Sequence, residues 1–187
     1  MTNMKDTIRN ALVSKLQSSS LDSITVTDIA TDCGISRQAF YYYFNDIYDV
    51  VESIFLEQTE RALNEYSDID SWQIGYIRMM RWTLANKSLV MNTYRSIQRE
   101  YIEFFMYRVL YQYIIQVVQK EARPYQVTTK QCEFIADFYT LAINAVSLEW
   151  IRNGMKEPPE EIAENVNFLI EGDFQKALIR FDRQNRQ

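Results

Sequence analysis

The chain has 187 residues, 47% of them hydrophobic, with a net charge of −5 and no histidine. That length suits one or two small domains with a real core, and four glycines with three prolines point to helices joined by little loop. The missing histidine removes the commonest general base and metal ligand, no stretch approaches the roughly 18 uninterrupted apolar residues of a membrane span, and Cys33 and Cys132 are too few and too far apart for a disulfide framework.

Met4, Ile8, Leu12 and Leu16 recur every four residues, with Ala11 beside them, which predicts one apolar stripe on a helix over about residues 4–17. Lys5, Arg9 and Lys15 lie off that stripe and are expected in solvent. Ser18-Ser19-Ser20 ends the helix, and Leu21 and Ile24 are expected to tuck beneath it. Thr25 and Asp28 then stand at capping-box spacing, so a second helix starts here and runs to about Cys33. Gly34 follows where the chain must leave the helix, a place glycine fills at least cost. Ser36 is an N-cap for a third helix over about Arg37 to Tyr43. Ile29, Ala30, Ile35, Phe40 and Phe44 can all face inward, leaving Arg37, Gln38, Tyr41 and Tyr42 outward. Two short helices around a glycine turn form a helix-turn-helix, whose second helix enters the DNA major groove. Arg can read guanine and Gln can read adenine through paired hydrogen bonds. On spacing alone, a helical hairpin in any all-α domain satisfies the same pattern.

Asp46 is the expected N-cap of a fourth helix, which runs to about Tyr66 with Val50, Val51, Ile54, Phe55, Ala62 and Leu63 buried. At about 1.5 Å per residue it is about 30 Å long. Ser67-Asp68-Ile69-Asp70 marks a boundary. Helices are expected over about 71–86, 88–96 and 99–122, the last stopped at Arg123-Pro124. Thr128 or Thr129 opens another, to about Asn153, closed by Gly154. Pro158-Pro159 with neighbouring glutamates opens the last, whose stripe is Ile162, Val166, Leu169 and Ile170. Gly172 is where that helix can be interrupted, and Asp182 to Gln187 is polar enough to fray. The domains expected are thus 1–46 (DNA-binding head), 47–66 (connecting helix) and 67–187 (C-terminal domain).

Asp28-Ile29-Ala30, Gly34-Ile35-Ser36-Arg37 and Phe40-Tyr41-Tyr42-Tyr43-Phe44 closely resemble the DNA-binding signature of the TetR family of transcriptional regulators. Specific motifs cover roughly residues 5–60; beyond them the likeness is one of helical pattern and length. The resemblance implies an all-α, TetR-like fold: a three-helix head carrying the helix-turn-helix, and a C-terminal helical domain for regulation and dimerisation. It implies a homodimer on double-stranded DNA carrying an inverted repeat, controlled by a small molecule or a partner protein. Arg37, Gln38 and Tyr41 are expected to reach bases; Thr25, Thr27, Ser36, Tyr42 and Tyr43 complete the DNA-binding set, chiefly through phosphates. The dimer face is expected on the last two long helices, at Phe138, Leu141, Ala145, Trp150, Ile162 and Val166. Trp82, Tyr94, Tyr101, Phe105, Tyr111 and Tyr139 are candidates for an effector pocket, although aromatics at helical spacing equally make ordinary core. The sequence departs from the family at Ile47, where members usually carry a lysine that meets a DNA phosphate. Phe44-Asn45-Asp46-Ile47-Tyr48-Asp49 and Trp150-Ile151-Arg152-Asn153-Gly154-Met155 are similar to the subgroup that includes regulators of dihydroxyacetone kinase operons.

Two features weigh against DNA as a partner. Residues 1–50 set Lys5, Arg9, Lys15 and Arg37 against Asp6, Asp22, Asp28, Asp32, Asp46 and Asp49, a net of −2, whereas nucleic-acid binders tend to be basic. With the missing lysine, this motivates the alternative of a protein-interaction module on the same fold without operator binding. An enzyme is not expected. Gly34, Gly75, Gly154 and Gly172 are the only glycines, so no phosphate loop, dinucleotide fingerprint or nucleophile elbow can be written. No cofactor, metal or membrane is implied. The N-terminus lacks the apolar run of a signal peptide, so a cytoplasmic location is expected.

Overall fold

The computed structural model describes residues 3–63, 72–96 and 99–187. Among them are ten α-helices and one 3-10 turn, and no strand. The first three helices are α1 (Met4–Leu16), α2 (Val26–Asp32) and α3 (Arg37–Tyr43), with the 3-10 turn at Leu21–Ser23 between α1 and α2. Ile8, Leu12 and Leu16 on α1 are fully buried, and Leu21 and Ile24 close the core from below. They meet Ile29 and Phe40, also fully buried, to make the small core of the head. Each such side chain contributes about 1.5–3 kcal/mol by leaving water.

Local chemistry sets the angle between α2 and α3. The Thr25 hydroxyl accepts from the Asp28 amide at 3.2 Å, and the Asp28 carboxylate accepts from the Thr25 amide at 2.8 Å, so the capping box is complete. Gly34 takes a left-handed φ of +65°, which lets the Ile35 amide donate back to the Ala30 carbonyl at 2.9 Å. This is the helix-ending arrangement that satisfies otherwise orphaned carbonyls. Ser36 then caps α3 by accepting from the Ala39 amide at 3.1 Å.

Helix α4 (Ile47–Leu63) begins under Asp46, whose carboxylate accepts from the Asp49 amide at 2.8 Å. It packs on α1, then on the body helices α5 (Trp72–Ala85) and α7 (Arg99–Ala122). The predicted stretch to Tyr66, the boundary at 67–70 and the side chains of Ala62 and Leu63 lie outside the described residues. Short α6 (Lys87–Tyr94) follows α5 and lies against α1, α5 and α7. Helices α7 and α8 (Thr129–Arg152) form the most extensive pair. Leu110, Ile114, Val117 and Val118 of α7 and Ile135, Ala136, Ile143 and Ile151 of α8 are all buried in the body core. Gly154 (φ +80°) closes α8, and Pro159 opens α9 (Pro159–Ile170).

Gly172 interrupts the chain as the sequence allowed, whereas the further helix after it and the end of the chain differ from expectation. The chain breaks at Gly172 (φ +74°) and starts a further helix, α10 (Asp173–Asn185). Phe174 and Leu178 are buried on its inner side, with Ala177 and Phe181 half-buried. The end does not fray where expected. Asp182 accepts from the Gln126 amide at 2.7 Å, and the Asn185 amide nitrogen donates to the Gln126 carbonyl at 2.7 Å, which ties α10 to the α7–α8 loop. Helix α8 is also nearer to a membrane span than uninterrupted runs suggest. It is long enough, with a mean hydropathy of 1.2 over its most apolar window. The reason is that it is apolar on two sides, one packed on α7 and one facing out.

Candidate functional site

Helix α3 is anchored by its one fully buried residue, Phe40, which packs edge-on to Tyr41 and against Phe44. With that ring fixed, Arg37, Gln38, Tyr41 and Tyr42 all project outward; Tyr42 is 84% exposed. Tyr43 is half-buried and edge-on to Tyr42 at 5.1 Å. Thr25, Thr27 and Ser36 are exposed at the starts of α2 and α3. The candidate DNA-facing residues are therefore all exposed on the head except half-buried Tyr43. One of them is less free than the sequence suggests. The Thr25 hydroxyl also donates to the Asp28 carboxylate at 2.6 Å, so its proton is already used within the capping box. Those Thr25 bonds hold the Asp28 carboxyl below its ordinary value of 3.8.

The charges on the head are largely spent internally. Arg9 pairs with Asp6 at 3.0 Å and Glu57 at 2.5 Å, and Lys15 pairs with Asp32 at 3.0 Å. Lys5 sits over the Phe44 ring, 5.8 Å from its centre. Among the described residues Arg37 makes no ion pair; its guanidinium reaches only the Tyr41 hydroxyl, at 3.5 Å. Ile47, where the family usually carries a lysine, is a buried side chain here. It is 7% exposed and belongs to the head core with Phe44, Val50 and Val51.

Behind the head, α4, α5, α6, α7 and α8 enclose a narrow cavity of about 60 Å³. Of the sequence candidates, Trp82, Tyr94 and Phe105 line it. Tyr111 instead stacks on Tyr107 at 6.0 Å, and Tyr139 packs edge-on to Phe174 at 4.7 Å, both away from the cavity. The Tyr101 side chain lies outside the described residues. Sequence reasoning missed the Met79, Met80 and Met106 walls and the polar Thr93, Asn144 and Ser147. The available signal was the run Thr140, Asn144, Ser147, polar positions three and four apart inside the apolar stripe of α8. Ser147 is satisfied by the Tyr76 hydroxyl at 2.9 Å and the Ile143 carbonyl at 2.9 Å. Burial is the larger influence on Tyr76 and pushes its hydroxyl up to about 12.

Helix α6 has the cavity on one side and the head on the other. Val90, Thr93 and Tyr94 line the cavity. Leu89 is buried in the head core, and the Asn92 amide nitrogen donates to the Leu16 carbonyl at 2.9 Å. Just past the helix, the Ser96 hydroxyl donates to the Asp22 carboxylate at 2.7 Å.

A third feature is an uncovered apolar face. Phe134, Phe138 and Leu141 on α8 are 64%, 60% and 54% exposed, and Phe168 and Leu169 on α9 are 80% and 72% exposed. Ala145 lies on the same side of α8, and Ile162 is half-buried. Trp150 and Val166, expected on this face, belong to the core instead. Trp150 walls the cavity while its indole nitrogen donates to the Glu157 carbonyl at 2.9 Å. Phe134 extends the face along α8, and Phe168 and Leu169 are exposed on α9. Patches of this kind on a chain mark places where another surface is expected.

An outward helix-turn-helix on a small head, joined by one long helix to a helical body, is the architecture of a helix-turn-helix transcriptional regulator. Residues 70–172 match the TetR-family model described as "Transcriptional regulator C-terminal region". The chain belongs to the TetR family of transcriptional regulators. The HTH-type dhaKLM operon transcriptional activator DhaS of Lactococcus lactis subsp. lactis (strain IL1403) is 25% identical over 150 residues, 79% of each chain. Solved structures share the fold. The dihydroxyacetone kinase operon activator DhaS has a TM-score of 0.68 at 22% identity, over 96% of this chain and 98% of that one. The fatty acid degradation regulator FadR from Bacillus halodurans has a TM-score of 0.62 at 16% identity, over 91% and 95%.

Proposed function

We propose that the protein is a cytoplasmic homodimer that binds an inverted-repeat operator and releases or engages it in response to an effector. The observation that carries this is α3 itself: Phe40 is sunk in the core while Arg37, Gln38 and Tyr41 stand clear of it. Arg37 and Gln38 have the donor geometry to read guanine and adenine edges. Tyr41 supplies an apolar ring beside them. Thr27, Ser36, Tyr42 and Tyr43 set register on the backbone, and Thr25 acts chiefly by holding α2 in place.

In this reading residues 1–46 are the reading head, 47–66 the connecting helix and 67–187 the effector and dimer domain. The face of Phe138, Leu141 and Ala145, extended by Phe134, Phe168 and Leu169, meets its own copy across a two-fold axis. That places two heads on half-sites about 34 Å, or a multiple of that, apart. The cavity takes the effector, and α6 carries its presence to the head through Leu89, Asn92 and Ser96.

Footprinting across the DNA upstream of the protein's own gene, at low and moderate salt, tests the proposal. The expected result is one protected inverted repeat. No protection in either condition overturns it and favours a protein-interaction module on the same fold, the reading that the internally paired charges of the head would then explain.

A further inference from the structure

The effector cavity carries more chemical information than its shape. None of its 16 lining residues is charged: the walls are Phe55, the methionines, Val90, Val109, Leu110, Ile151 and the rings of Trp82, Tyr94, Phe105 and Trp150, with four small polar side chains among them. Two of those four are already satisfied. Thr83 donates to the Met79 carbonyl at 2.9 Å, and Ser147 is held by Tyr76 and Ile143. Thr93 is not. The Thr93 hydroxyl is buried with no hydrogen-bond partner, in a residue only 1% exposed. Asn144, 8% exposed, also lines the cavity, though its amide is not among the fully buried unpaired groups. Buried polar groups left without partners are uncommon and costly, and at a cavity wall they point to a guest that pairs with them.

We propose that the cavity binds an uncharged, mostly hydrocarbon molecule bearing a hydroxyl or carbonyl oxygen, which pairs with the Thr93 hydroxyl and the Asn144 amide, and that it rejects charged molecules of the same skeleton. The assignment rests on the cavity being the effector site. The amide of Asn144 can donate to a ligand oxygen, and the Thr93 hydroxyl can donate or accept. A carboxylate or ammonium would be stripped of water with no opposite charge to meet it. The closed cavity, at about 60 Å³, falls well short of the roughly 150 Å³ that takes a benzene ring. Room comes from Met79, Met80 and Met106, whose unbranched side chains re-pack at little cost. A ligand therefore widens the site and presses on α6, where Thr93 sits.

Trp82 and Trp150 line the cavity, so tryptophan fluorescence and thermal shift report its occupancy. The probes are 1-hexanol, 2-hexanone, hexanoate and hexylammonium at neutral pH, titrated into the full chain. We expect the alcohol and the ketone to bind and the two ions to bind at least about tenfold more weakly. Thr93→Val keeps the shape and removes the hydroxyl. It is expected to weaken both neutral probes about fivefold, the scale of one hydrogen bond, while raising the melting temperature of the unliganded protein. Thr93→Ser retains the hydroxyl and is expected to keep the affinity. Equal binding of an ion, an unchanged affinity in Thr93→Val, or no response to either neutral probe overturns the proposal. Footprinting the same preparation separates the two levels: a kept footprint with a failed probe series removes the ligand class alone, and a lost footprint removes the regulator reading.

Discussion

Replacing Ile47 by lysine separates a surface position from a core position, and the structure makes the outcome calculable. Ile47 is 7% exposed in the head core, in the first turn of α4. Its removal forfeits about 1.5–3 kcal/mol of burial. The ammonium must either lose water or pull the stem outward, and it lies at the positive end of a helix dipole, which adds about 0.3–1 kcal/mol against it. With incomplete escape of the charge, the total is about 3–5 kcal/mol, in the upper range for single substitutions. For a chain of this size that is a fall in melting temperature of roughly 6–20 °C. Thermal unfolding followed by circular dichroism measures it. Asn45→Lys, on the exposed loop just before, is the control: it should melt near wild type and steepen the salt dependence of DNA binding by about 0.9 in log–log slope if it meets one phosphate. An Ile47→Lys protein that melts like wild type and gains that slope would refute the inward placement.

Three further outcomes are expected. Gln38→Ala should relax base preference at one operator position, by about 1–3 kcal/mol of discrimination, whereas Tyr43→Phe should weaken all sequences alike; binding to a panel of single-base operator variants distinguishes them. Phe138→Glu with Leu141→Glu should leave the fold intact and shift the particle to monomer in sedimentation velocity, because a charge placed on the central apolar surface must be desolvated when two copies meet. The Asp28 carboxyl, held below 3.8 by its bonds from Thr25, stabilises the fold at neutral pH, and that contribution is lost as pH falls through its lowered value. Thr25→Ala should therefore be less stable than wild type in urea at about pH 7, and the gap should narrow in strong acid, where the carboxylate is protonated in both, to what the Thr25 hydroxyl contributes by capping the Asp28 amide.

The head was legible because its signals are local. A capping pair, a left-handed glycine and a serine cap each act within four residues, and Thr25–Asp28, Gly34 and Ser36 all appear in the structure where the spacing puts them. The body was legible only as helices. Periodicity shows that α8 is apolar but not that it is apolar twice: Phe134, Phe138 and Leu141 face out while Ile135, Ile143 and Trp150 face in. Trp150 was therefore placed on the wrong side, and Tyr111 and Tyr139 were assigned to a cavity they do not reach. Ile47 was read by its place in a motif, whereas its neighbours along α4, Val50 and Val51, put it on the buried stripe. Helix α10 escaped notice because its stripe of Phe174, Ala177, Leu178 and Phe181 is short and the rest of it is strongly polar.

The internal pairing of Arg9 and Lys15 has a consequence for how the protein lives in a cell. With little positive charge left to trade for counterions, each head should hold random sequence briefly and let go easily. On the proposed reading, searching should then be done more by excursions through solvent than by tracking along the duplex. For an operator bound as proposed, occupancy should follow the number of copies closely and shift little when the osmotic state of the cell changes.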